Sequence, residues 1–173
     1  MVVSSFLLHI KYSLFSSLPV ISKNYRSLAH FYSLLFAAGQ EDFDRLRTLS
    51  YPHTDCFLLC FSIISPHSFS NIENKWFPEI QQYAKGVPIV LCGTKCDRRN
   101  DKEVAQELHA KGQGIVTVEE GRELAKKIGA SQYFECSALT QENIQLVFAE
   151  VVKQGLRKQE SSQENAKQCC SIQ

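Results

Sequence analysis

From residue 55 onward the chain alternates short apolar runs with amphipathic patterns, and this alternation limits the possible folds more than any other feature. Three apolar runs predict strands that are buried on both faces: 55–64, 87–92 and 133–136. Helical patterns follow them at 69–83, 98–111, 117–128 and from 144 onward. The first pattern should be disturbed at Pro78, and Thr117 and Glu120 predict a capping box at the start of the third. Strands and helices that alternate with short connections form right-handed βαβ units. The sequence therefore predicts an α/β fold with a parallel sheet between two helical layers.

Composition and charge restrict the classes of function. The 173 residues, 44% of them hydrophobic and 21% charged, suit one folded domain. The 19 basic and 18 acidic residues nearly cancel, which argues against a nucleic-acid-binding protein. The seven cysteines cannot all pair within the chain, and no closely spaced Cys and His ligands suggest zinc. We therefore expect a reducing compartment, the cytosol, and no metal-ligating residues.

The first 40 residues differ in composition from the rest of the chain. They contain no acidic residue and are rich in serine. An organelle transit peptide needs several arginines, and only Arg26 is present. A secretory signal fits poorly as well, because no basic residue precedes the apolar run 2–8 and His9 and Lys11 interrupt it. We interpret residues 1–37 as a segment of different origin.

Two predicted loops carry side chains suited to reading a guanine base. Thr94-Lys95-Cys96-Asp97 follows one strand and Ser137-Ala138-Leu139 follows the next, so both loops leave the carboxyl edge of the sheet, where ligands of such folds bind. The carboxylate of Asp97 can accept hydrogen bonds from N1–H and the exocyclic amine of guanine. The stem of Lys95 can cover the face of the base. The backbone N–H of Ala138 can donate to the guanine O6.

These motifs resemble the Ras superfamily, whose guanine motif is N/T-K-x-D followed by S-A. The threonine form, the segment 39–52 and the charged helix after Asp97 are similar to the Rho/Rac branch, and the resemblance covers about 38–173. It implies a P-loop GTPase-like fold in a chain that is monomeric and cycles between GDP and GTP with Mg²⁺. It assigns nucleotide contacts to Gly39, Thr94, Lys95, Asp97, Ser137, Ala138 and Leu139. It also implies that Gln40 orients the attacking water and that exchange factors, GTPase-activating proteins and effectors bind through 39–52.

The sequence departs from the family pattern in its first third. None of the eight glycines is followed by lysine, so the phosphate-binding G-x-x-x-x-G-K-[ST] is absent. Phe36 stands where the family has the aspartate of D-x-x-G, and no Mg²⁺ ligand can be matched. The family's central first strand is missing as well, which predicts an incomplete fold. Residues 30–37 are the candidate strand before Gly39, and residues 2–15 could partly fill the vacant slot, although Lys11 and several serines suit a buried strand poorly.

The last four residues form a lipidation motif. Cys170-Ser-Ile-Gln is a C-a-a-X box in which glutamine favours a farnesyl group. One lipid chain gives only marginal membrane residence, so Cys169 is a candidate for palmitoylation. The polar composition of 157–173 predicts a flexible tail. We expect a lipid-anchored protein on the cytosolic face of the plasma membrane or of internal membranes, with a cytosolic fraction.

The predicted organisation has three parts: residues 1–37 as a divergent segment, 38–156 as a GTPase-like domain and 157–173 as the tail. The resemblance favours a Rho-type GTP/GDP switch in membrane-linked signalling, with binding and hydrolysis impaired by the missing phosphate and metal groups. A nucleotide-independent, membrane-tethered interaction module is the alternative. In that module Phe43, Leu46, Leu49 and Tyr51 either contact partners or anchor their segment to the core. A spliced, truncated or misassembled gene product without activity is the third reading.

Overall fold

The computed structural model describes residues 5–14, 30–38, 51 and 54–170. Within these ranges the strands are β1 (Ser5–Leu14), β2 (His30–Ala38), β3 (Cys56–Ser62), β4 (Ile89–Thr94) and β5 (Gln132–Cys136). They form one sheet in the order β2-β1-β3-β4-β5. The last three strands coincide with the three apolar runs of the sequence to within a few residues.

Strands β3, β4 and β5 are parallel, and their side chains alternate between two buried clusters. Phe57 and Phe61 of β3 point into the first cluster. Leu58 and Cys60 point into the second cluster, on the opposite face. Both faces are buried because a parallel sheet needs helices on both sides to connect its strands.

Helices cover both faces of this sheet. Their bounds are Pro66–Asn71 for α1, Phe77–Tyr83 for α2, Lys102–Ala110 for α3, Val118–Lys127 for α4 and Ile144–Cys170 for α5. Ile80 of α2 and Leu124 of α4 pack in the first cluster, and Val147 and Val151 of α5 pack in the second. The predicted three-layer α/β fold is confirmed. None of the helices in residues 54–170 combines the length and the apolar character needed to cross a bilayer.

Two local features follow directly from sequence. Between α1 and α2, Ile72–Trp76 forms a π-helical turn immediately before Pro78, which has no N–H to donate to the preceding turn. The predicted disturbance at this proline is therefore confirmed. At the start of α4, the N–H of Glu120 donates to Thr117 Oγ1 at 3.2 Å, and the N–H of Thr117 donates to Glu120 Oε2 at 2.7 Å. This is the predicted capping box.

The slot next to β3 is occupied by β1. In the family that the sequence resembles, the first strand lies in this central position. Here the strand in the slot, β1, is antiparallel to both β2 and β3. The five-stranded sheet is therefore mixed, and the predicted parallel arrangement holds for β3, β4 and β5. Antiparallel pairing of the consecutive strands β1 and β2 needs no crossover helix, unlike parallel pairing.

The register explains how β1 accommodates its lysine. Only Ser5–Ile10 pair with β3. Lys11 lies just beyond this stretch and pairs only with β2, opposite Ser33. The apolar half of β1 therefore lies in the middle of the sheet, and the polar half extends past β3. Of the candidate segment 2–15, the described residues Ser5–Ile10 fill the vacant slot beside β3, as the sequence suggests.

The backbone of α5 continues to Cys170. It thus differs over 157–170 from the flexible tail that the sequence predicts. Glu, Gln, Lys and Arg dominate this stretch, and all are good helix formers. Extending a helix that is already packed also avoids the cost of nucleation. Residues 171–173 lie outside the described residues.

Candidate functional site

The two predicted loops emerge side by side at the carboxyl edge of β4 and β5. Thr94, the last residue of β4, pairs with Cys136, the last residue of β5. The loop 95–97 and the loop 137–139 therefore begin at the same level of the sheet. This is the edge at which ligands of open α/β sheets bind.

Two hydrogen bonds of Thr94 join the end of β4 to β3 and to the residue that follows it. Its Oγ1 donates to the carbonyl of Phe61 at 2.9 Å, and its own carbonyl accepts from the N–H of Ile63 at 3.1 Å. The resemblance assigns Thr94 to the nucleotide site, and its hydroxyl is engaged with the neighbouring strand. Thr94 acts on the site by fixing the start of the loop that follows.

Lys95 and Asp97 lie in a tight turn with unusual backbone geometry. Lys95 has φ 65° and ψ 36°, in the left-handed region, and Cys96–Arg98 form a 3₁₀ turn directly after it. Non-glycine residues in this region carry a conformational cost and are concentrated at functional sites. Arg98 pairs with Asp101 at 2.9 Å. Asp97 is half-buried and, within the described residues, forms no hydrogen bond or ion pair, so its carboxylate is available to a ligand.

The loop after β5 is held by hydrogen bonds around Ser137. Ser137 is fully buried, its N–H donates to the carbonyl of Glu142 at 3.1 Å, and its Oγ accepts from the N–H of Thr140 at 3.1 Å. The carbonyl of Ala138 accepts from Gln141 Nε2 at 2.6 Å. The N–H of Ala138 has no acceptor among residues 54–170. Leu139 is 81% exposed at the tip of the loop.

Two residues of this loop adopt the left-handed conformation. They are Gln141, with φ 63°, and Asn143, with φ 57°. The side-chain amide of Asn143 donates to the carbonyl of Glu135 at 2.9 Å. The backbone of this loop is strained at these two non-glycine residues, and side-chain hydrogen bonds stabilise it. These hydrogen bonds keep the N–H of Ala138 in a fixed place.

Cys96 and Glu142 connect the two loops. The Sγ of Cys96 donates to Glu142 Oε2 at 3.6 Å. Burial and the adjacent Glu142 carboxylate raise the pKa of the Cys96 thiol to about 11. The thiol therefore remains protonated at neutral pH and continues to donate to the carboxylate. This contact joins the turn that contains Asp97 to the loop that contains Ala138.

A charged network below the loops was not predicted from the sequence. Arg99 Nη2 lies 2.6 Å from both carboxylate oxygens of Glu135, and Arg99 Nη1 donates to the carbonyl of Val116 at 2.8 Å. Tyr133 donates to Glu135 Oε1 at 2.7 Å. Burial, followed by this hydrogen bond, raises the pKa of Tyr133 above its usual range. An acidic residue in a strand, two positions from a tyrosine, was the available signal, but its partner is 36 positions away along the chain.

Several predicted site residues lie outside the described residues. Gly39 and Gln40 are among them, as is most of the proposed partner-binding segment 39–52. Tyr51 is the exception and is 1% exposed. Its ring packs edge-on against Phe57, with centroids 5.3 Å apart, and its hydroxyl donates to Glu79. Tyr51 therefore anchors the end of the segment, which corrects its candidate role as part of a contact surface.

Comparison with known proteins identifies the family. A Ras family model matches residues 25–157, which is most of the chain. The chain belongs to the Ras family. Members of this family bind GTP and GDP together with Mg²⁺. The matched range includes β3, β4 and β5 and both loops of the candidate site.

The candidate site fits the guanine base better than a metal ion. The carboxylate of Asp97 and the N–H of Ala138 are an acceptor and a donor of the kind that the base requires. Residues 54–158 contain no group of three or more His, Cys, Asp or Glu side chains that could hold a metal ion. When bound in this family, Mg²⁺ supplies charge stabilisation at the phosphates. Within the described residues, the two loops present this acceptor and this donor to a ligand.

Proposed function

We propose that this chain is a Rho-type small GTP-binding protein whose two described loops recognise the guanine base, with little contribution from the phosphates. The observation that carries the proposal is that, among the described residues, the Asp97 carboxylate and the Ala138 N–H have no hydrogen-bond partner and lie on adjacent loops. The threonine form of the first motif supports the Rho assignment. So does α3, a charged helix that Asp101 caps by accepting from the N–H of Glu103 at 2.9 Å.

The arrangement discriminates guanine from adenine by hydrogen-bond polarity. Guanine presents two donors, N1–H and the 2-amino group, to the carboxylate of Asp97, and an acceptor, O6, to the N–H of Ala138. Adenine has an acceptor at N1, a donor at position 6 and no 2-amino group. Adenine would therefore leave both Asp97 and Ala138 unpaired, and a site built for hydrogen bonds rejects such an analogue strongly.

The expected affinity follows from the few contacts available. One charge-assisted hydrogen bond contributes about 1.5–3 kcal/mol, and each neutral one contributes about 0.5–1.5 kcal/mol. One charge-assisted bond and a few neutral ones sum to about 4–5.5 kcal/mol, which corresponds to a dissociation constant of roughly 0.1–1 mM. A chain with this affinity samples a concentrated nucleotide pool and does not retain nucleotide through purification. We therefore expect no appreciable GTP hydrolysis by the chain alone.

The test is base selectivity in a saturation-transfer NMR experiment with GMP and AMP. The wild-type chain should give a signal for GMP and little for AMP. Asp97→Ala should abolish the preference, whereas Glu103→Ala, which removes an exposed carboxylate from the nearby helix α3, should preserve it. Unchanged selectivity in Asp97→Ala would show that the base is read elsewhere. Recovery of one tightly bound GDP per purified chain would also contradict the proposal.

The proposed signalling role includes partners and a membrane. Family-type exchange factors, GTPase-activating proteins and effectors would bind through 39–52. The C-a-a-X box would place a farnesyl group on Cys170, with acylation of Cys169 as the second signal that stable residence requires. The location would then be the cytosolic face of the plasma membrane or of internal membranes.

The position of β1 supports a second function. An antiparallel strand occupies the central slot from which the family's phosphate loop normally emerges. This favours a nucleotide-independent interaction module that displays 39–52 to family partners. The GMP titration separates the two functions, because the module predicts no base-selective signal while partner binding persists.

A further inference from the structure

Four buried cysteines lie on one face of the sheet beneath α5. Cys56, Cys60, Cys92 and Cys136 belong to the second buried cluster, together with Val147 and Val151 of α5. All four are free thiols. The Sγ atoms of Cys92 and Cys136 are 3.4 Å apart. This distance brings two nucleophilic atoms into direct contact across neighbouring strands.

The strand register places this pair on the same face of the sheet. Cys92 pairs with Phe134, and Cys136 pairs with Thr94, so the two cysteines are offset by two positions along their strands. Side chains two positions apart point to the same face. A disulfide bond is about 2.05 Å long and joins Cα atoms that lie within about 7 Å of each other. A diagonal pair on neighbouring strands has Cα atoms about 7–8 Å apart, so the bond requires β5 to shift along β4.

The pair also lies directly below both loops of the candidate site. Cys136 immediately precedes Ser137, whose hydrogen bonds hold the second loop. Cys92 lies two residues before Thr94, whose hydroxyl fixes the start of the first loop. A covalent bond between β4 and β5 at this level would change the spacing of the loops above it.

We propose that Cys92 and Cys136 form a disulfide on exposure to hydrogen peroxide and that this bond weakens guanine recognition. The second half of the proposal rests on the proposed function, and the first half does not. Cys136 is 6% exposed and Cys92 is 1% exposed, so peroxide reaches Cys136 first.

The reaction proceeds in two balanced steps. The sulfur of Cys136 attacks one peroxide oxygen, the O–O bond breaks, and a sulfenic acid and one water molecule form. The sulfur of Cys92 then attacks the sulfenic sulfur, the S–O bond breaks, and a second water molecule leaves with the proton from Cys92. Two electrons pass from the two thiols to the peroxide.

Burial of the two thiols limits the rate of this oxidation. The hydrogen bond to Cys92 and burial raise the pKa of the Cys136 thiol above its usual range, so little thiolate is present at neutral pH. Because the thiolate is the reactive form, oxidation requires local opening beneath α5. Oxidation should therefore be slower than that of an exposed thiol and should accelerate in mild denaturant.

To test this, the reduced full chain is treated with peroxide, and the remaining thiols are then blocked with N-ethylmaleimide. Its peptides are mapped by mass spectrometry without reduction. The expected product is a Cys92–Cys136 linked peptide that lacks two hydrogen atoms. Cys60→Ala should retain the linkage, whereas Cys136→Ser should abolish it. Cys92→Val, a close apolar match in size, should also abolish it and guards against loss of the fold. Alkylated Cys92 and Cys136 after the treatment, or a Cys60–Cys92 linkage, would overturn the proposal.

A second readout tests the effect on the site. GMP affinity should fall about tenfold in the oxidised chain, equivalent to losing one charge-assisted hydrogen bond of about 1.5 kcal/mol, and dithiothreitol should restore it. The Cys136→Ser variant should show no change on oxidation. A linked peptide with unaltered GMP affinity would overturn the coupling. Absence of GMP binding in the reduced chain would contradict the proposed function and leave the disulfide result intact.

Discussion

Gly121→Ala should destabilise the chain, although alanine is the better helix former. Gly121 lies inside α4, and its backbone has no left-handed strain. A Cβ at this position would overlap the Cζ and hydroxyl of Tyr133 and approach Cε1 at 2.7 Å. The ring has little freedom to retreat, because it stacks on Phe61 at a centroid distance of 6.3 Å and its hydroxyl donates to Glu135 at 2.7 Å.

The magnitude is a balance of three contributions. Replacing an interior helical glycine by alanine gains about 1 kcal/mol. Overpacking costs about 1–3 kcal/mol, and displacing the ring also weakens a hydrogen bond to a carboxylate that contributes about 1.5–3 kcal/mol. Because the neighbouring side chains relax partially, Gly121→Ala should lower the free energy of unfolding by about 1–3 kcal/mol in total. In a chain of this size, each kcal/mol lowers Tm by about 2–4 °C.

Gly155→Ala is the matched control for Gly121→Ala. Gly155 also lies inside a helix, α5, but a Cβ there would meet Asp55 Cβ at 3.4 Å, an ordinary contact. This variant should gain about 0.5–1 kcal/mol. Urea denaturation followed by circular dichroism should thus give midpoints that shift in opposite directions. Stabilisation by both variants would refute the packing of Tyr133 under α4.

Three other predictions concern the site, the network below it and the membrane anchor. Asp97→Asn should shift base preference from guanine towards xanthine in competition binding, because the amide can donate to the 2-oxo group; a retained guanine preference would contradict the role of Asp97. Arg99→Ala should cost about 2–4 kcal/mol by urea denaturation, because it leaves the Glu135 carboxylate largely buried without its cation. Glu135→Gln in the Arg99→Ala background should cost less than it does alone, and strictly additive losses would mean that the two side chains are not coupled. Cys170→Ser should leave an N-terminally tagged chain in the cytosolic fraction, and Cys169→Ser should give an intermediate distribution; a Cys170→Ser variant that stays on membranes would place the anchor elsewhere, with residues 1–37 as the leading candidate.

The features that could be predicted from the sequence depend on neighbours along the chain. Thr117 and Glu120 form a capping box because residues three apart meet at a helix start. Strands β3 and β4 are visible because burial on both faces requires continuous apolar runs. The two loops could be placed because the carboxyl ends of parallel strands share one edge of the sheet.

The features that escaped prediction depend on contacts that are distant in sequence. The fit of Tyr133 beneath Gly121 and the pairing of Arg99 with Glu135 require the tertiary arrangement of α4, β5 and the first loop. The antiparallel direction of β1 could not be predicted either, because the side chains of a strand alternate between the two faces in the same way whichever direction it runs. The left-handed backbone of Lys95 could not be foreseen either, since the same residue type usually avoids that region.

We propose that this chain recognises the guanine base with little contribution from the phosphates. Isothermal titration of the nucleotide-free chain with GMP, GTP and AMP in the presence of Mg²⁺ tests it most directly. We predict dissociation constants of roughly 0.1–1 mM for GMP and GTP, within about threefold of each other, and no measurable binding of AMP. Binding of GTP that is orders of magnitude tighter than that of GMP, and that depends on Mg²⁺, would contradict the claim.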